Sequence, residues 1–424
     1  MTATEAHQAI ESVFRIERAR LIGGIARMVH DLALAEDLAQ DALVAALDRW
    51  PGSGVPHNPG AWLMAVAKRR AIDRLRHQKM RSRRLAEIGH EPAELVPEVE
   101  AALDDDLGDE VLALIFAACH PVLAPEAQVA LTLRLVGGLS TAEIARAFLT
   151  RETTIAQRIV RAKQALRRAC LRFEVPRGLD RAPRLSSVLA VIYLIFNEGY
   201  SATAGPDLIR PALCAEALRL GRILAQALPD EAEVAGLLAL MELQASRLRA
   251  RTDAHGAAVP LPEQNRAQWD WLLIRRGLAG LARAEALGGA PGDCARGAGG
   301  PYALQAALAA CHANARRPEA TDWHRIAALY DALRAVQPSP VVDLNRAVAH
   351  GMAFGAATGL SLLAEVEAEA LLRHYAPFHA AKGDLLARAG HRDMARAAFV
   401  QAATLSHNER ERAFLLARAA ACGP

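Results

Sequence analysis

Apolar residues recur every three to four positions along most of the chain, and no alternating strand–helix pattern interrupts them. In AWLMAVAKRRAIDRLRHQK, residues 61–79, the apolar Trp62, Val66, Ile72 and Leu75 hold helical spacing. Lys68, Arg69, Arg70, Arg74 and Arg76 fill the remaining faces, and Asp73 is the only acid. Residues 126–136 predict a helix with Val129, Leu133 and Val136 inward, broken by Gly137-Gly138. Ser140 and Glu143 then have capping-box spacing, which starts a short helix through Ile144, Ala145 and Phe148. A turn at Leu149–Arg151 leads into a longer helix carrying Gln157, Arg158, Arg161 and Lys163. Short helix, tight turn and polar-faced helix make the helix-turn-helix pattern, whose second helix enters the major groove of DNA.

Beyond Phe173 the character changes. Residues 175–188, VPRGLDRAPRLSSV, read as a Pro/Gly/Arg-rich joint, followed by some 240 residues of helical pattern. Val188–Phe196 is a helix apolar nearly all round and ends in Asn197-Glu198-Gly199. A carboxylate beside such a run needs a partner. Either Asn197, Glu198 and Tyr200 form a docking site, or Gly199 is a left-handed C-cap with Asn197 and Glu198 satisfied by backbone. Further helical patterns span 209–228, 231–251 and 265–287, and Gly and Pro mark loops at 254–262 and 288–300. Residues 375–389, Gly390 and residues 393–405 read as a helix, Gly turn, helix unit, with Ala380, Gly383, Leu386 and Ala397 as interface positions. Residues 338–348 and 356–364 read as a weaker copy. The spacing approaches the ~34 residues of tetratricopeptide repeats, whose stacked helix pairs make concave surfaces for peptides or protein segments.

At 424 residues, length suggests about three domains. Apolar residues make up 52% yet aromatics only 4%, which fits an all-α protein with small-residue helix contacts. The net charge of +3 hides an uneven distribution. Between Arg146 and Arg172 eight basic residues meet one acid, whereas Glu91–Glu110 holds nine acids and no base. With Pro92 and Pro97 in it, that acidic block reads as an extended linker. Six scattered cysteines without a CxxC pair argue against both a zinc site and a disulfide framework. The N-terminus lacks an apolar signal region, and the longest apolar run, 188–196, is far short of the ~20 residues of a membrane span. A protein of the cytoplasm, with no membrane association, is expected. No Gly-rich phosphate loop, GxSxG or HExxH is present, so no catalytic residue, cofactor or metal is expected.

The basic helix and the helix-turn-helix, in this order, resemble the sigma-70 family of bacterial RNA polymerase specificity subunits, of the extracytoplasmic-function type, over roughly residues 8–172. Ala-Glu-Asp-Leu-x-Gln-Asp within residues 31–47 matches the helix that docks on the polymerase clamp. NPGAWLMAVAKRRAIDRLR (58–76) matches the segment that melts the promoter and reads the −10 element. LSTAEIARAF and TTIAQRIVRAKQALR match the −35-reading helix-turn-helix, although many relatives carry Gly where Thr153 stands. Residues 184–203 look like the opening of a long C-terminal extension found in one group of these factors.

The expected architecture is therefore all-α: two small helical domains that bind polymerase and DNA, the second a helix-turn-helix, and a C-terminal repeat-like domain. The divisions are 1–86, an acidic linker at 87–110, 111–174, and 185–424. The resemblance implies core RNA polymerase and promoter DNA as partners. It assigns Glu36, Asp37, Gln40 and Asp41 to the polymerase. The −10 element falls to Asn58, Trp62, Lys68, Arg69, Arg70, Arg74 and Arg76, with the loop 51–59. The −35 element falls to Thr154, Gln157, Arg158, Arg161 and Lys163. Glu36/Gln40 and Asp37/Asp41 read as i,i+4 pairs on the polar side of one helix, opposite Leu38 and Ala42. The repeats would hold a protein or peptide ligand and modulate activity. The alternative is a stand-alone helix-turn-helix regulator with a repeat-type sensor domain, which would need neither the clamp helix nor the melting segment.

Overall fold

The computed structural model describes residues 3–86, 109–203, 205–254, 256–288, 299–367 and 369–423. Most of the acidic segment 87–110 lies outside the described residues. Helices make up the fold and no strand occurs among the described residues, where two isolated bridges, Gly205 with Asn408 and Thr252 with Ala258, are the only extended pairings. The chain divides into two compact units, 1–191 and 192–424.

In the first unit, α1 (Ala3–Val29), α2 (Leu32–Ser53) and α3 (Pro59–Ala86) pack against one another. Asp31 caps α2 by accepting from the amides of Ala33 and Leu34, at 2.8 and 3.2 Å. The stripe that anchors α3 differs from the one the apolar pattern predicts. Leu63, Met64, Ala67 and Ala71 are buried, while Trp62, Val66, Ile72 and Leu75 are only half-buried. Small alanines let α3 approach its neighbours closely, whereas the larger residues at the stripe's edge dominate the apolar pattern.

α4 (Asp109–Ala118) starts inside the segment expected as linker, and Leu112 to Cys119 are all buried. A helix apolar all round belongs at the centre of a core. It reaches α1 through Gly23, where any Cβ would collide with the Glu110 carbonyl oxygen. α5 (Pro125–Leu135), α6 (Thr141–Ala147) and α7 (Glu152–Arg168) follow. Val129, Leu133 and Val136 are buried as expected, and both halves of the Ser140–Glu143 capping box are formed. The turn between α6 and α7 places Leu149 at φ +47°, left-handed backbone that L side chains seldom adopt.

α8 (Arg181–Tyr200) begins within the expected joint, which therefore ends at Asp180. Its first turns are fastened to the α4–α5 core: Arg184 donates to the Phe116 carbonyl at 2.8 Å and Ser187 to the Cys119 carbonyl at 2.7 Å. Gln128 donates to the Ser187 hydroxyl at 3.2 Å.

The second unit contains α9 (Pro211–Ala227), α10 (Ala232–Ala245), α11 (Trp271–Gly288), α12 (Pro301–Asn314) and α13 (Trp323–Val336), then α14 (Pro340–Phe354) and α15 (Ala356–Val366). A short α16 (Ala370–Arg373) precedes α17 (Ala376–Arg388), α18 (Arg392–Leu405) and α19 (Glu409–Ala421). α10 is buried on nearly every face and packs on α9, α11 and α12. The repeat-like units form as helix pairs, α14–α15 and α17–α18, turning at Gly355 (φ +104°) and Gly390 (φ +86°). In α18 the interface residues are Ala395, Ala398, Phe399 and Ala402; Ala397, expected there, is exposed.

Candidate functional site

On α2, Leu38, Ala39 and Ala42 are buried and Asp37, Gln40 and Asp41 are exposed. Glu36 departs from the expectation of a polar-side pair with Gln40. It is 5% exposed and receives Arg18 of α1 at 2.6 Å, Arg134 of α5 at 3.2 Å and Lys163 of α7 at 2.5 Å. Burial alone would raise its pKa, but Lys163, Arg134 and Arg18 outweigh it and hold the carboxyl below the usual range. Helical spacing carries a signal for this, since Glu36 follows Leu32 by four and precedes Ala39 by three, on the buried stripe. Its partners come from three separate helices, which no local pattern reveals.

Asp41 lies 3.3 Å from Arg70 of α3, with both side chains about half exposed. Such a pair contributes little to stability, roughly 0–1 kcal/mol. Asp37 has no ion-pair partner among the described residues.

On α3 the expected −10 residues divide into two groups. Arg69, Arg74 and Arg76 are exposed; Lys68 and Arg70 are half-buried. Asn58 caps the helix by accepting from the Ala61 amide at 3.0 Å. Trp62 meets buried Trp50 edge to face, with centroids 5.3 Å apart.

On α7 the core edge is Ile155, Ile159, Ala162 and Leu166. Gln157 and Arg161 are exposed, Thr154 and Arg158 half-buried. Lys163, also half-buried, is turned inward to Glu36. Arg167 stands 3.5 Å from Asp31. α7 starts at Glu152, so Thr153 lies within its first turn, exposed to solvent.

In the second unit, Gly199 lies inside α8 and is not left-handed, which removes the C-cap reading. A Cβ there would lie 2.7 Å from the Cys214 amide nitrogen, so Gly199 serves helix contact. Glu198 receives Arg210 and, at 3.0 Å, the Thr203 hydroxyl. Tyr200 stacks on Phe196 with centroids 5.7 Å apart. Burial pushes the Cys119 and Cys214 thiols up to about 12, which keeps them protonated and unreactive. Among the described residues no group of His, Cys, Asp or Glu could hold a metal, and no helix is long and apolar enough to cross a membrane.

Residues 13–81 match sigma-70 region 2, residues 113–166 match sigma-70 region 4, and residues 184–285 match a family of unknown function. An uncharacterized protein of Rhizobium meliloti (strain 1021) is 42% identical over 406 residues, covering 94% of this chain and 92% of that one. The ECF RNA polymerase sigma factor SigK of Mycobacterium ulcerans (strain Agy99) is 30% identical over 35% of this chain and 78% of its own length. The RNA polymerase sigma-E factor of Streptomyces avermitilis is 30% identical over 37% of this chain and 82% of its own length. No solved structure matches.

The chain belongs to the sigma-70 family, in its extracytoplasmic-function type, with a C-terminal extension. It is an RNA polymerase sigma factor in transcription initiation, with core polymerase and promoter DNA as its partners. A stand-alone regulator would have no use for region 2, so that alternative falls away.

Proposed function

We propose that Asp37, Gln40 and Asp41 present the polymerase-facing patch, and that Glu36 instead ties α2 to α1, α5 and α7. The observation that carries this reading is the split of one acidic motif between exposed Asp37 and buried Glu36. Lys68, Arg69, Arg70, Arg74 and Arg76 hold the −10 strand by its phosphates, with Trp62 and the loop before α3 beside them. Gln157, Arg158 and Arg161 read the −35 element, with Thr154 at the head of the helix. Lys163 joins them only when it leaves Glu36. The protein acts in the cytoplasm as a binding subunit, without catalysis of its own. Its extension modulates initiation in cis, with Asn197, Glu198 and Tyr200 near the docking region, and its helix pairs hold a protein or peptide ligand.

The test is run-off transcription and co-purification with core enzyme. Reversing a charge at a complementary interface costs several kcal/mol. Asp37→Lys abolishes co-purification while helicity stays unchanged. Arg161→Ala lowers transcription in proportion to dependence on the −35 sequence, because a bidentate Arg–guanine contact discriminates by ~1–3 kcal/mol. Full binding of core by Asp37→Lys would remove α2 from the polymerase interface.

A further inference from the structure

Three arginines of the second unit gather around two aromatic rings. The Arg251 guanidinium lies 3.8 Å from the Tyr200 ring centroid, and Arg247 lies 5.9 Å from the same centroid. Arg247 is also 6.0 Å from the centroid of Trp269, over which Arg266 sits at 4.6 Å. Among the described residues none of the three has a carboxylate within ion-pair distance. Acids close to these arginines and rings in sequence have other partners: Glu198 pairs with Arg210, Glu242 with Arg222 and Arg276, Asp253 accepts from the Ala257 amide, and Asp270 accepts from the amides of Leu272 and Leu273. Glu319 acts on Arg266 only at longer range.

Half-buried cations grouped without a counter-charge repel one another and lose hydration. The cluster also leaves secluded polar atoms without partners: Arg251 Nε, Arg266 Nε, Trp269 Nε1 and the Tyr200 hydroxyl. Trp269 itself is 3% exposed. Of these four atoms the first three can only donate. Arg266 Nη1 is spent on the carbonyls of His312 and Ala315. A guanidinium stacked on a ring keeps its N–H edges in its own plane, where they meet planar or tetrahedral oxyanions two at a time. Because the rings are already covered by guanidinium groups, a ligand is met by those edges and needs no aromatic part.

We propose that Arg247, Arg251 and Arg266, with Tyr200 and Trp269, form a binding site for a small multiply charged oxyanion ligand, carrying phosphoryl or carboxylate groups. The donor set is matched to acceptor-only oxygens, and three positive charges suit a ligand of charge two or more. The site's residues all belong to the second unit.

The full-length protein is titrated with inorganic phosphate, pyrophosphate and citrate, with potassium chloride at matched ionic strength as control. Thermal unfolding and the Trp269 indole N–H resonance, assigned through Trp269→Phe, are followed together. A saturable rise in melting temperature and a moving Trp269 signal are expected with at least one of the three anions and absent with chloride. Strength with pyrophosphate over citrate assigns a phosphoryl ligand, and the reverse order a polycarboxylate. Arg251→Gln with Arg266→Gln should weaken binding at least tenfold, and Arg247→Lys, which keeps the charge and loses the fork, should weaken it less. If the double variant does not fold, the wild-type Trp269 titration alone decides. Equal responses to chloride, or a silent Trp269 signal with all three anions, would overturn the proposal.

Discussion

Lys163 of α7 donates to Glu36 of α2 at 2.5 Å, so the helix proposed to read the −35 element and the helix proposed to meet polymerase share one buried ion cluster. Among the described residues Glu36 is the one anion paired with Arg18, Arg134 and Lys163. Burial lowers the pKa of Arg18 and the nearby Arg134 lowers it further, while Glu36 raises it. Removing that anion therefore strands three cations in a desolvated place.

Glu36→Gln should destabilise the first unit by about 3 kcal/mol, as breaking a buried pair does. For a unit of this size that is a fall of roughly 6–12 °C in its unfolding midpoint. Lys163→Met should cost about 1 kcal/mol, since Glu36 keeps Arg18 and Arg134. The depressed carboxyl also sets a pH sign: its contribution is present above the unfolded value of about 4.3 and is lost as pH falls through the lower folded value. Thermal melts of both variants between pH 3 and 7 check this. A Glu36→Gln protein as stable as the parent, yet unable to bind core, would return Glu36 to the polymerase interface.

The secondary structure and the capping box of the helix-turn-helix were legible because they depend on residues within one turn of each other. Glu143 reaches Ser140, and Asn58 reaches Ala61, without help from the rest of the chain. Contacts across long separations were not legible in the same way. Glu36 and Lys163 are 127 residues apart, and only tertiary packing tells a buried carboxylate from an exposed one. The inward face of α3 carries no strong apolar signal, because Ala67 and Ala71 are small while the large Trp62 and Leu75 sit at its edge. The arginine cluster in the extension draws on three separate segments, so no local motif announces it.

Leu149 offers a test of the helix-turn-helix turn itself. It is 51% exposed, so its side chain has little packing to lose, while its left-handed backbone costs roughly 1–2 kcal/mol. Leu149→Gly should leave stability unchanged or raise it by up to ~1 kcal/mol, after the entropy cost of Gly is set against the relief. Leu149→Val, whose branched Cβ tolerates this backbone poorly, should lose about 1 kcal/mol. Urea denaturation of the two variants decides; equal destabilisation by both would place the residue's contribution in packing instead.

Shortening the chain should expose how firmly α8 belongs to region 4. A protein ending at Arg177 loses Arg184 from the Phe116 carbonyl and Ser187 from the Cys119 carbonyl. With hydrogen bonds near 1 kcal/mol each and apolar burial by Leu185 and Val188 besides, it should unfold at least ~2 kcal/mol more easily than one ending at Tyr200. Run-off activity of the 1–200 protein, compared with the full chain, then reports the extension alone, whereas the 1–177 protein mixes that effect with a damaged helix-turn-helix. Identical melting of the two truncated proteins would detach the first turns of α8 from the DNA-binding core.

His312 sets a pH dependence for the second unit. Burial, then the charges of Arg247 and Arg266, lower its pKa to about 4, and its ring meets Trp323 edge to face with centroids 5.4 Å apart. The unfolded chain takes up this proton near pH 6.5 and the folded one does not, so the stability it confers is complete above pH 6.5 and is lost as pH falls toward 4. At about 1.4 kcal/mol per unit the loss reaches at most ~3.5 kcal/mol. Glu216 and Glu233, raised by burial, act in the opposite sense at the acid end of this range, so the contribution of His312 is read as a difference between parent and variant. His312→Phe keeps an aromatic ring against Trp323 and cannot titrate. Its unfolding free energy should vary less between pH 7 and 4.5 than that of the parent, by 2 kcal/mol or more over the window. Parallel pH profiles for the two proteins would show that His312 is protonated as readily in the folded chain as in the unfolded one, and that the neighbouring arginines do not act on it.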